Sequence, residues 1–93
     1  MVVARAEVEL LLPGCKSLKD KRQVLRSILE RLRGRFNLAA AEVDEQDRWN
    51  MAVIGLACVS GEPGHARDLL EEALRFLEAD VRCEVLGRHL EIS

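Results

Sequence analysis

The sequence has no tyrosine, and Phe36, Trp49 and Phe76 are its only aromatic residues. No stretch approaches the roughly 18 consecutive apolar residues that cross a bilayer as a helix, so nothing here reads as membrane-spanning. Cysteines are few: Cys15, Cys58 and Cys83 are odd in number and far apart, with no C-x-x-C pair and no Cys/His ligand spacing. That pattern excludes a disulfide framework and a zinc module, and it predicts reduced thiols in a cytosol. "LLPGC" looks outwardly like a lipoprotein cleavage box, but the segment before it carries Arg5, Glu7 and Glu9 and cannot be an apolar signal core. Gly61 to Gly64 is too short for a phosphate loop and lacks the Lys and Ser/Thr such a loop needs. There is no linker, no repeat and no low-complexity segment, so residues 1–93 are expected to form a single domain.

Apolar residues make up 48% of the chain and charged residues 32%, which excludes a disordered polymer. A net charge of −2 gives no global sign of nucleic-acid binding, but the charge is unevenly placed. Lys16 to Arg35 holds eight cations against two acids, whereas Gly61 to Asp80 holds two cations against six acids. One helix-sized segment is basic and another acidic, and such asymmetry concerns surfaces and partners rather than fold.

Periodicity sets out six elements. Val2 to Leu12 alternates, with Ala4, Ala6, Val8 and Leu10 on one side and Arg5, Glu7 and Glu9 on the other, as in a strand with one buried face. Pro13-Gly14 ends it. Ser17 fits a helix N-cap with Asp20 in the first turn, followed by an apolar stripe from Leu18 to Leu32 and a stop at Gly34. Phe36 to Asp44 reads as extended. A polar turn, Glu45 to Arg48, leads to Trp49–Ser60, apolar almost throughout, as expected of a central strand covered on both faces. "GEPG", Gly61 to Gly64, is a break, and a second amphipathic helix runs from Ala66 to near Asp80. Val81 to Ile92 is a last strand, with a bulge near Gly87 where its alternation changes phase. The order βαββαβ predicts an α+β, ferredoxin-like sandwich: a four-stranded antiparallel sheet with both helices on one face. The other face would then carry Val3, Ala39, Ala41, Val43 and half of the third strand. Association through that open face, as a twofold homodimer, is the expected outcome.

Three clusters are candidates for function. On a helical wheel starting at Leu18, the apolar residues of the first helix span about 240° through 20°, and Arg22, Arg33, Arg26 and Lys19 fall between about 40° and 100°. These four line one flank, with Lys16 just before the helix; Lys21 falls on the core side. A row of Arg and Lys over about four turns suits a phosphate backbone, because the guanidinium fork binds two oxygens at once. Base stacking on the sheet is not expected, since the two central strands carry no aromatic except Trp49 at the start of one. The second cluster is the acidic hairpin. Glu42 and Asp44, two apart on a strand, are expected to point the same way, and with Asp47 nearby they are candidates for a divalent cation or a small ligand. The third is Cys15, whose place near a helix N-terminus beside Lys16 favours a thiolate; no base is placed to make it catalytic. His65 and His89 have no motif around them. No cofactor is implied.

"PGCKSLKDKR", then "FNLAAAEVDEQDRWNMAVIGLACVS", over a chain of this length, resembles the YlxP-like family of small, uncharacterised bacterial proteins. The matching positions are Ser17 to Arg22, Phe36 and Asn37, then Glu42, Asp44, Gln46, Asp47 and Trp49. The resemblance implies a ferredoxin-like fold and no established activity. It also implies, through the family's gene neighbourhood, a role near RNA or the ribosome. Many relatives have a histidine where this chain has Glu45, so a hairpin histidine is not available here.

Overall fold

Alternation builds the first element. β1 runs from Val2 to Leu11, burying Ala4, Ala6, Val8 and Leu10 while Arg5, Glu7 and Glu9 stay exposed. The computed structural model describes all 93 residues and continues with α1 (Leu18–Arg35), β2 (Ala39–Asp44), β3 (Met51–Ser60), α2 (Pro63–Glu78) and β4 (Glu84–Ile92). The strands form one antiparallel sheet in the order β2-β3-β1-β4, so the α+β, ferredoxin-like expectation holds. The core lies between one sheet face and the helices, where Val8, Leu10, Ile54 and Leu56 meet Leu25, Ile28, Leu32, Leu70, Leu74 and Leu77. No helix is long and apolar enough to cross a membrane.

The helix starts follow local chemistry. Ser17 caps α1, its Oγ accepting from the Asp20 N–H at 3.1 Å. Asp20 reciprocates by accepting from the Lys16 N–H at 3.0 Å, which satisfies another donor and places an acid at the positive helix end. Gly34 does not stop the helix. No glycine here takes a positive φ, so Gly34 continues the right-handed turn and Phe36 ends the helix in an extended conformation. Pro63 and Gly64 belong to α2 rather than to a break before it. Pro63 occupies the first turn, where its missing N–H costs nothing.

β3 is not covered on both faces. Ala52, Ile54, Leu56 and Cys58 are buried under the helices, but the alternate side is only partly covered and Val59 is 65% exposed. Its apolar run reflects two apolar faces, of which one has a helical layer. The strands also contain two register shifts. The expected one in β4 lies where Glu9 pairs Gly87 and Leu10 pairs Val85, leaving Leu86 unpaired. The other lies in β2, where Glu42 pairs Ile54 and Asp44 pairs Val53, leaving Val43 unpaired.

The loop after α2 is tied back to α1. Arg82 donates to Asp80 through Nε at 3.0 Å and Nη2 at 2.8 Å, while its Nη1 donates to Ser27 Oγ at 2.8 Å. The hydrogen bonds from Arg82 hold the Asp80 carboxyl below its ordinary pKa, against the opposing effect of burial. A depressed folded-state pKa stabilises the fold above the unfolded carboxylate value of 3.8, and that contribution is lost as pH falls further, through the folded value. Asp80→Asn is therefore expected to lower the melting temperature at pH 7 by about 4–8 °C, corresponding to about 1 kcal/mol in a domain of this size. In melts taken from pH 7 down to pH 3, the gap between the variant and the wild type should close only below about pH 4.

Candidate functional site: the two sides of the first helix

α1 sorts its cations by direction. Lys21, inside the apolar arc of the wheel, is 2% exposed and reaches under the β2–β3 hairpin. Its Nζ lies 2.8 Å from Glu42 Oε2 and donates to the carbonyl oxygens of Glu45 at 2.6 Å and Arg48 at 2.5 Å. The Glu42 contact is off the hydrogen-bonding direction, so that oxygen has the ammonium's charge but no aligned donor. Glu42 can take this place because it pairs with Ile54, on the helix-facing side of the sheet. The loop it helps hold is unusual: Glu45 has φ 61°, the only non-glycine residue in the left-handed region. Asp44 Oδ1 accepts from the Glu45 N–H at 2.8 Å, and the Glu45 carbonyl also accepts from Arg48 N–H at 3.1 Å.

Lys16, Lys19, Arg22, Arg26 and Arg33 face the other way. All five are exposed, and none forms an ion pair. By contrast Arg5, Arg31, Arg48, Arg82 and Arg88 each sit beside a carboxylate. At 1.5 Å per residue, Lys19 to Arg33 spans about 21 Å of helix. Arg33 is partly committed, donating to the Ala40 carbonyl through Nε at 3.2 Å and Nη2 at 2.5 Å. Ala40 lies in the edge strand β2, so Arg33 occupies an acceptor that another strand would otherwise use. The ladder left free consists of Lys19, Arg22 and Arg26, with Lys16 at the helix start.

The acidic hairpin does not assemble as its spacing predicts. Val43 is the extra residue of a bulge, so Glu42 turns toward the helices and Asp44, opposite Val53, toward the open face. Asp47 is exposed in the turn, and no group of three His, Cys, Asp or Glu side chains is placed to hold a metal. Cys15 is also unlike its expectation. It is buried, and desolvation followed by the Asp20 charge raises its pKa, opposed by Lys21, so the thiol is favoured. Burial likewise pushes Cys83 up to about 11. His65 and His89 are exposed, and His89 Nε2 lies 3.1 Å from Glu91 Oε1.

One cluster has no counterpart in the sequence reading. Phe36 and Phe76 meet edge to face at 5.7 Å between the helix ends, with Arg31 and Arg35 over the Phe76 ring at 5.3 and 5.4 Å. Arg35, Phe36 and Phe76 border a groove of about 770 Å³ that Arg75 and Glu72 also line. Arg31 and Arg35 lie on the opposite flank of α1 from the free ladder. The signal was the pairing of that flank with an aromatic on α2, and the periodicity of one helix does not carry the register between two.

Residues 3–89 match a family described as a protein of unknown function, DUF503. An uncharacterized protein of Bacillus subtilis strain 168, YlxP, is 33% identical over 78 residues, covering 84% of this chain and 85% of that protein.

Truncating one partner of a buried ion pair leaves the other charge unpaired. Lys21→Met should therefore destabilise the domain by about 3 kcal/mol, or about 12–24 °C in melting temperature. Removing both charges, in Lys21→Met with Glu42→Leu, should restore no more than about half of that loss, because the Glu45 and Arg48 carbonyls still lose their ammonium donor. Thermal melts of the single and double variants measure both effects.

Proposed function

The chain belongs to the DUF503 family of proteins of unknown function; from its own charge distribution we propose that it is a non-enzymatic binding protein for structured RNA, docking through the outer flank of α1. The observation that carries this reading is the contrast within one helix. Lys21 is consumed by the fold, while Lys16, Lys19, Arg22 and Arg26 are exposed and without carboxylate partners. A helix flank that served only solubility would gain from interspersed acids; of the two acids in α1, Asp20 is turned to the helix cap, and Glu30, which borders the flank at about 120° on the wheel, forms no ion pair with it.

The geometry of the flank fits a phosphate backbone better than a base-reading site. Cations three and four residues apart stand on one line along a helix, as phosphates do along a strand. The sheet offers no stacking platform: its open face carries Arg5, Glu7 and Glu9 on one central strand and small apolar residues on the other. Recognition would then be of shape and charge, as double-stranded RNA commonly is. A ribosomal particle presents that chemistry in quantity. The hairpin supports no competing small-ligand reading, because Glu42 is engaged by Lys21 and Asp44 lies on the opposite face.

Co-sedimentation with ribosomal subunits over a salt series tests the proposal. Three to four phosphate contacts predict a slope of log affinity on log salt of about −3. Arg22→Glu with Arg26→Glu should flatten the slope to about −1 and weaken binding at low salt more than tenfold, with the melting temperature unchanged. Binding that survives the double reversal would place the site elsewhere.

A further inference from the structure

We propose that the open sheet face binds a second copy of the chain about one defined twofold axis, which runs across the strands through the row Ala41, Gly55, Glu7 and His89. The pairing register places these residues side by side, Ala41 opposite Gly55, Gly55 opposite Glu7 and Glu7 opposite His89. Two features of the face select this axis over the alternatives.

The first is the division of the face. On the β2–β3 half it is mostly apolar and hollowed, with Asp44 at one end as its charged residue and with concavities of about 300 and 320 Å³ around Ala39 and Ala57, the first also reaching Gly55 and bordered by Arg5 and Glu7 of β1. On the β1–β4 half it is charged. A twofold axis parallel to the strands would lay the apolar half of one copy on the charged half of the other. An axis across the strands lays apolar on apolar. Ala41 and Gly55 then lie at the axis, with the exposed Val43 side chain packed over Gly55, so that apolar groups of the two copies meet there.

The second is the order of charge along β1. Arg5 and Glu9 sit two residues on either side of Glu7, all three exposed on this face. Rotation about the Glu7 row carries Arg5 of one copy onto Glu9 of the other, and Glu9 onto Arg5, so one operation makes two ion pairs. The roughly 30° crossing of packed sheets displaces these partners by only about 3 Å, within the reach of an arginine. Glu7 of each copy meets the other beside His89, a like-charge contact that the two Arg5–Glu9 pairs must outweigh. Strands of ten, six, ten and nine residues present a face of about 550 Å², or about 1,100 Å² over two copies, at the low end for a specific dimer. The same axis keeps both β2 edges, and with them both outer flanks of α1, on one side of the dimer.

The test is a charge exchange read by light-scattering mass at micromolar concentration, which needs no RNA and so fails separately from the RNA reading. The wild type should show twice the 10.5 kDa chain mass. Arg5→Glu and Glu9→Arg should each weaken association about a hundredfold, to monomer, by placing like charges opposite one another. The two substitutions combined should restore the dimer. Both substitutions lie at exposed positions, and circular dichroism melts of the three variants check that each is folded. A monomeric wild type, single variants that stay dimeric, or a combined variant that stays monomeric would each overturn the axis.

Discussion

A buried ammonium must be surrounded by oxygen, and around Lys21 that requirement organises one end of the molecule. The side chain enters from α1 along the apolar arc and meets Glu42 and two loop carbonyls. Each of these acceptors comes from the hairpin, so the helix and the β2–β3 turn are fixed to one another by a single cation. The left-handed backbone at Glu45 is held in the same place. The bulge at Val43 is part of the arrangement too. It lets Glu42 face the helices while Asp44 turns outward and caps the next N–H. What reads in sequence as an acidic, solvent-loving turn is in the fold a socket for one lysine.

That socket divides the charge of α1 into structural and available portions. Lys21 is withdrawn from the surface, and Arg33 is partly withdrawn by the Ala40 carbonyl at the sheet edge. Arg31 and Arg35 rest on Phe76 at the α2 side. The remaining cations, Lys16, Lys19, Arg22 and Arg26, share one outward direction. The family is defined by sequence and carries no assigned activity, so the case for recognition rests on this partition and not on inheritance.

The alternation of β1, the Ser17–Asp20 cap and the bulge near Gly87 were legible in the sequence because each is encoded locally, in two to five neighbouring residues. The inward direction of Lys21 was legible as well, from its angle on the helix. Its partner was not. Finding Glu42 requires knowing that Val43 is skipped in the β2–β3 ladder, and a bulge without glycine leaves no local mark. For the same reason Glu42 and Asp44 seemed to share a face. The end of α1 was misplaced by one residue because Gly34 can stop a helix but is not obliged to, and Phe36 packing on Phe76 decides the matter from across the chain. The apolar run of β3 was ambiguous in principle. Pattern alone does not distinguish a second helical layer from a face kept for another copy.

The central claim is that recognition belongs to the outer flank of α1 while the inner side of the same helix belongs to the fold. Amide chemical-shift mapping during titration with a short double-stranded RNA hairpin addresses it most directly. The account predicts perturbations concentrated at residues 16–26 on the outward positions Lys19, Arg22 and Arg26, fading as salt is raised, with β1 and β3 unmoved. Perturbations centred on the open sheet face, or none at a low-salt excess of RNA, would contradict it.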